Sequence, residues 1–115
     1  MTRIFEELLK KRGVNHDFLS PKYRVDLADK LPDIEVATSR IAEAIAKQET
    51  VLVYGDYDVD GVTASTLMYD CLWLSGIKDV SVMLPDRFID GYGMGERVVG
   101  RTEELGATLI ITVDC

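Results

Sequence analysis

Three continuous apolar runs, Thr50 to Tyr54, Val80 to Leu84 and Thr108 to Val113, are separated by two segments of helix length. The runs lack the regular apolar–polar alternation of a half-buried strand, so each reads as a strand covered on both faces. The segment between the first two runs, about Asp60 to Ser75, places Ala64, Leu67, Met68, Cys71 and Leu72 on one face, and Gly76 ends it. The second, about Gly95 to Leu105, stops at Gly106. Strand, helix, strand, helix, strand in this order predicts a parallel sheet with right-handed crossovers and helices on both faces. The expected fold class is α/β with three layers.

Residues 1–48 read as a helical arm and residues 49–115 as the sheet-bearing domain. In the arm, residues 3–11 put Ile4, Phe5, Leu8 and Leu9 on one helical stripe, with Gly13 as the stop. Pro21 and Pro32 interrupt the stretch 14–32, which reads as an extended lead with a short turn of helix near Phe18. Asp33 is expected to cap a helix to about Lys47, with Ile34, Ala37, Ile41 and Ile45 turned inward.

The chain carries 13 Lys and Arg against 20 Asp and Glu, a formal charge of −7. That excludes a simple basic-patch binder of nucleic acid. It leaves room for a nucleic-acid enzyme, because bound metal ions invert the charge of an acidic site. With no signal peptide or long apolar span, the expectation is a cytoplasmic protein without a membrane partner. Two cysteines give no disulfide framework, and Cys71, close to Met68, Leu72 and Leu74, reads as a reduced core thiol. The last strand stops two residues before the end of the chain, at an aspartate, which reads as a fragment of a longer protein.

The first strand runs into Asp56, Asp58 and Asp60 and stops at Gly61, and the third ends on Asp114. Ligands of open parallel sheets bind at the carboxyl ends of the strands. Two unpaired charges about 4 Å apart repel by roughly 4 kcal/mol at an effective dielectric near 20. A divalent cation reverses that sign. A set of carboxylates without cysteine or clustered histidine suits Mg²⁺ or Mn²⁺ better than Zn²⁺. The plainer role of such aspartates is in turns and helix caps, and Asp60, ahead of Gly61, is the one best placed to cap the next helix.

Residues 53–64, together with residues 108–115, resemble the first two motifs of the DHH phosphoesterase superfamily. The run Gly55 to Gly61 resembles more specifically the RecJ-type single-strand-specific 5′ to 3′ exonucleases, as does the loop Leu84 to Gly93 with its proline, arginine and acidic residue before Gly-Tyr-Gly. The resemblance covers residues 48–115 strongly and the arm loosely. It implies a partial DHH domain, with Asp56 and Asp58 at first-motif positions and Asp114 as the second-motif metal ligand. It also implies a pair of Mn²⁺ or Mg²⁺ ions in the complete site and single-stranded DNA as the substrate of the full-length protein. The Asp-His-His motif that names the superfamily is not in these residues, and the one histidine, His16, lies in the arm as a surface residue.

The glycine-rich loop adds weaker candidates. Arg87 offers a bidentate fork to a phosphate, or else pairs with Asp86 or Asp90. Gly91 and Gly93 let a backbone approach a substrate, and Tyr92 offers a face to a base, or else the three make a plain turn. Lys10, Lys11 and Arg12 read as a solvated helix end. Two rival functions remain. Asp58-Val-Asp-Gly resembles the nucleophile motif of haloacid-dehalogenase-like phosphatases, although Asp56 has no role there. A DHH-like domain kept as a protein-binding scaffold is the non-enzymatic rival.

Overall fold

The computed structural model describes residues 3–20, 30–91 and 93–115, and for His16 the backbone alone. The elements are α1 (Arg3–Arg12), a 3₁₀ turn (His16–Leu19), α2 (Ile34–Lys47), β1 (Val51–Gly55), α3 (Val59–Leu74), β2 (Val80–Met83), α4 (Glu96–Leu105) and β3 (Leu109–Val113). They fall into two compact units, Met1–Ile34 and Glu35–Cys115.

In the first unit, α1 ends as its glycine predicts. Gly13 has φ 63°, and the N–H of Val14 donates to the Leu9 carbonyl at 3.1 Å. Of the expected stripe only Leu9 is buried, while Ile4 and Leu8 are exposed. Asn15 then starts the 3₁₀ turn by accepting the N–H groups of Asp17 and Phe18. The expected extended lead beyond it falls largely on residues 21–29, outside the described residues, as does the side chain of His16. Asp33 stands directly before α2 with φ 57°, which is not the extended backbone of a side-chain cap.

The second unit holds a parallel sheet in the order β2-β1-β3. Val51 is in register with Val80 on one side and Leu109 on the other. Alternation along β1 divides the core. Val51 and Val53 face Ala44 of α2 and Leu72 of α3, with Ile77 beyond. Leu52 and Tyr54 face Val98 of α4. Helices therefore cover both faces, and β1 in the middle has no exposed side chain. Burial on that scale contributes about 1.5–3 kcal/mol for each large apolar side chain.

α2, read from the sequence as part of the arm, packs on the sheet through Ile41, Ala44 and Ile45, and Ala37 is exposed. Its middle is tied to the strand entrances through Arg40. Arg40 Nη2 lies 2.7 Å from Glu49 Oε2, and Thr108 Oγ1 donates to the same oxygen at 2.6 Å. These two bonds, Arg40 first, hold the Glu49 carboxyl below the usual carboxylate range.

The inward stripe of α3 is Gly61, Ser65, Met68 and Leu72. Two expectations fail here. Leu67 is 71% exposed, and Cys71 is an exposed free thiol, not a core one. Each lies one residue, or about 100° of helix rotation, from the buried stripe.

Candidate active site

The order β2-β1-β3 makes the β1/β3 gap special. The chain leaves β1 through α3 towards β2 on one side, while β3 lies on the other. In doubly wound sheets the crevice at such a reversal, outside the carboxyl ends of the strands, is where ligands bind. Asp56, Asp58 and Asp60 follow β1, and Asp114 follows β3, so all four flank that crevice.

The turn after β1 is short because two glycines let the strand end lie against the helix start. A Cβ on Gly61 would sit 2.5 Å from the Asp56 nitrogen and 2.6 Å from its carbonyl carbon. A Cβ on Gly55 would run into Ser65 Oγ and come within 2.8 Å of the Gly61 carbonyl oxygen. Only Asp56 and Tyr57 separate the strand from the helix cap. Asp56 is 6% exposed, and its Oδ1 accepts the Tyr57 N–H at 2.7 Å.

The cap is Asp58. Its Oδ1 accepts the N–H groups of Asp60 at 2.9 Å and Gly61 at 3.0 Å. The expectation that Asp60 caps this helix is therefore corrected. Asp60 is exposed in the first turn, where its charge favours the helix N-terminus and, among the described residues, its side chain accepts no backbone N–H. Asp58 takes the cap because it stands directly ahead of the helix in extended backbone, with ψ −178°, whereas Asp60 already lies within α3.

Asp114 directly follows β3 with φ 56°, a left-handed conformation that aspartate tolerates better than most residues. Its carboxyl is pushed above the ordinary range, first by desolvation and then by the charges of Asp58, Asp60 and Asp56. The four acids thus share one field. Among the described residues no Lys or Arg pairs with any of them. Nor, among the described residues, do three His, Cys, Asp or Glu side chains converge tightly enough to hold a metal ion. The donor chemistry nonetheless fits a hard divalent cation: oxygen ligands only, like charges, and no counter-charge.

The glycine-rich loop reaches this site. The Arg87 guanidinium carbon lies 4.6 Å from the centroid of Tyr57, the residue between Asp56 and Asp58. Arg87 pairs with neither Asp86 nor Asp90, so those two alternatives are set aside. Asp90 pairs with Arg97 of α4 at 2.6 Å instead. Gly91 and Gly93 both have positive φ, 72° and 86°, as a loop turning back on itself requires. Tyr92 lies outside the described residues. The buried Tyr54 donates its hydroxyl to the Gly93 carbonyl at 2.8 Å, anchoring the end of the loop to the sheet.

Sequence reasoning missed three participants. Tyr57 stood inside the aspartate motif and could have been singled out as an aromatic platform. Arg97 pairs with a residue seven positions away across a loop, and no short-range periodicity announces such a pair. Ser65, only 2% exposed and with a hydroxyl that has no hydrogen-bond partner among the described residues, looks in sequence like any small helical residue.

A family model described as the N-terminal domain of the DHH family matches residues 50–115. The single-stranded-DNA-specific exonuclease RecJ of Bacillus subtilis (strain 168) is 38% identical over 121 residues, covering 99% of this chain and 15% of that protein. RecJ of Escherichia coli (strain K12) is 34% identical over 84 residues, covering 73% of this chain and 15% of that protein. Among solved structures, exonuclease RecJ bound to manganese matches with a TM-score of 0.63 at 34% identity, covering 69% of this chain and 20% of that one. The chain thus spans about 15% of the length of these curated relatives.

Proposed function

The chain belongs to the DHH family, and from that premise we propose that it supplies the first carboxylates of a metal-dependent exonuclease that hydrolyses single-stranded DNA from the 5′ end. The observation that carries this reading is the placement of Asp56, Asp58, Asp60 and Asp114 around the β1/β3 crevice, where Asp114 is held up in pKa by desolvation and by the other three. The likeness to RecJ exonucleases, one of them bound to manganese, supports it.

In this reading Asp56, Asp58 and Asp114 are the principal ligands of Mn²⁺ or Mg²⁺, with Asp60 beside them, and the complete site holds two ions. When bound, such ions activate water and steady the leaving oxygen of a phosphodiester. The protein's own share is orientation. Backbone N–H groups fix Asp56 and Asp58, the strand end fixes Asp114, and Arg87 receives a substrate phosphate as Gly91 and Gly93 let the backbone approach. Tyr92 offers a base-stacking face. Single-stranded DNA is the partner of the full-length protein, in the cytoplasm. No helix among the described residues is long and apolar enough to cross a membrane.

The test is a Mn²⁺ titration of the native chain, Asp58→Asn and Asp114→Asn, with the free ion read by electron paramagnetic resonance. Weak binding by the native chain and weaker binding by each variant is expected; equal binding by all three sinks the assignment. With 5′-phosphorylated single-stranded DNA and Mn²⁺, the chain alone should release no mononucleotides, since two ions need more ligands than four aspartates. Release by the native chain but not by Asp58→Asn would overturn that incompleteness and uphold the aspartates. The phosphatase rival is disfavoured, because Asp56, not Asp58, directly follows the strand and has no role in that scheme.

A further inference from the structure

The loop that carries Arg87 is closed on itself by one carboxylate. Asp90 Oδ2 accepts the backbone N–H of Asp86 at 2.7 Å, and the Asp90 N–H returns to the Asp86 carbonyl at 2.8 Å. Asp86 Oδ1 in turn accepts the Phe88 N–H at 2.8 Å. Residues 86–90 are therefore a ring of short bonds with Arg87 on it. The same Asp90 oxygen receives Arg97 Nη1 at 2.6 Å, which fastens the ring to α4. The Asp90 side chain is only 9% exposed, whereas Arg97 is 58% exposed.

This arrangement solves a problem that the loop sets itself. Arg87 and Asp90 are three residues apart on one turn, close enough in sequence to pair. A guanidinium paired inside its own loop has little left to offer a phosphate. Here Arg97 occupies the carboxylate, and among the described residues Arg87 has no ion-pair partner. Its guanidinium rests on the Tyr57 ring instead, a contact that orients the cation without neutralising it.

We propose that Asp90 and Arg97 are positioning residues: their pair closes the 86–90 turn and keeps Asp90 away from Arg87, leaving Arg87 on Tyr57 and free to take a phosphate. This rests on the reading of Arg87 as a phosphate ligand, and the experiment separates the two. Four versions of the full chain are compared: native, Arg87→Met, Arg97→Met and Arg97→Met with Asp90→Asn. The amide introduced by Asp90→Asn keeps a carbonyl acceptor for the Asp86 N–H but has no charge with which to capture Arg87.

Two readouts apply to each. One is the ratio of affinities for oligothymidylate with a 5′-phosphate and with a 5′-hydroxyl, which general destabilisation does not move. The other is the nuclear magnetic resonance signal of the Arg87 side chain, shifted by the ring current of Tyr57. Arg97→Met should lower the ratio as far as Arg87→Met does, about tenfold for loss of one charge-assisted contact. It should also move the Arg87 signal towards its random-coil position. The double variant should restore both. An unchanged ratio and signal in Arg97→Met, or no restoration in the double variant, overturns the proposal. A ratio unchanged in Arg87→Met overturns the phosphate reading, and the Arg87 signal still decides whether the pair positions it.

Discussion

Replacing Gly61 with alanine should destabilise the fold even though it puts a better helix former into a helix. The substitution favours α3 by up to about 1 kcal/mol through propensity. Against that, the new Cβ would lie 2.5 Å and 2.6 Å from the nitrogen and carbonyl carbon of Asp56. Non-bonded carbons are comfortable at about 3.5–4.0 Å. The obstacle is backbone directly after the most buried strand of the sheet, so relief requires the Asp56–Asp58 turn to move by on the order of 1 Å. Overpacking of this kind costs about 1–3 kcal/mol, and displacing the turn also weakens the Asp58 cap, worth about 1 kcal/mol. The net loss is about 1–3 kcal/mol, a fall in melting temperature of about 4–12 °C for a chain of this size. The internal control is Gly100→Ala in α4, where an added Cβ meets nothing within 4 Å. That variant should gain up to about 1 kcal/mol. Thermal melts followed by circular dichroism, in chelator, measure both. A Gly61→Ala protein that melts at or above the native temperature refutes the close-packing account of this turn.

Three further outcomes follow from the same geometry. Asp58→Ala should lose about 1 kcal/mol through the cap, whereas Asp58→Asn should melt within about 0.5 kcal/mol of native, since asparagine caps equally well; equal melting of both variants refutes the cap. Asp114 holds its proton more tightly when folded than when unfolded, so its contribution is unfavourable above the raised folded pKa and relieved as pH falls through it. Asp114→Asn should therefore raise the melting temperature at pH ~7 and leave it unchanged near pH ~3, below the ordinary aspartate value of about 3.9; a gain that is the same at both values would remove the charge argument. Cys71 should react with a thiol reagent in the native protein as fast as in denaturant, and protection in the native state would contradict its exposure.

The sheet was legible in the sequence because its strands are uninterrupted apolar runs and its helices end on glycines that take positive φ, Gly76 and Gly106 among them. Which face of each helix points inward was less legible. On α3 the apolar residues run nearly all round, so Leu67 and Cys71 looked as inward as Leu72. The outcome was decided by two small residues, Gly61 and Ser65, that allow close approach to β1. The strand order was not written in any local pattern, yet it is what sets β3 beside β1 and brings Asp114 into the field of the other three acids. The choice of cap turned on backbone conformation: Asp58 and Asp60 are the same residue type two positions apart, and Asp58 is the extended one, ahead of the helix. The role of Asp90 was hidden for a different reason, because its partner Arg97 lies across a loop.

Under the proposed function, the clustered aspartates pose a conflict between stability and metal binding that the hydrogen bonds divide atom by atom. Asp56 and Asp58 each use Oδ1 to accept backbone N–H groups, from Tyr57 in one case and from Asp60 and Gly61 in the other. Among the described residues, the second oxygen of each accepts no protein hydrogen bond. One oxygen therefore fixes the side chain, and under the proposed function the other is the one open to a ligand. Orientation is thus provided by the turn itself, and a cation attracted to the free oxygens need not break the cap. This division explains why asparagine and alanine in place of Asp58 should behave differently. Asparagine keeps the oxygen that caps and replaces the other with an amide nitrogen, which is no ligand for a hard cation. Alanine loses both. Native melting with lost Mn²⁺ binding in Asp58→Asn, beside a loss of both in Asp58→Ala, would separate the two duties of a single carboxylate.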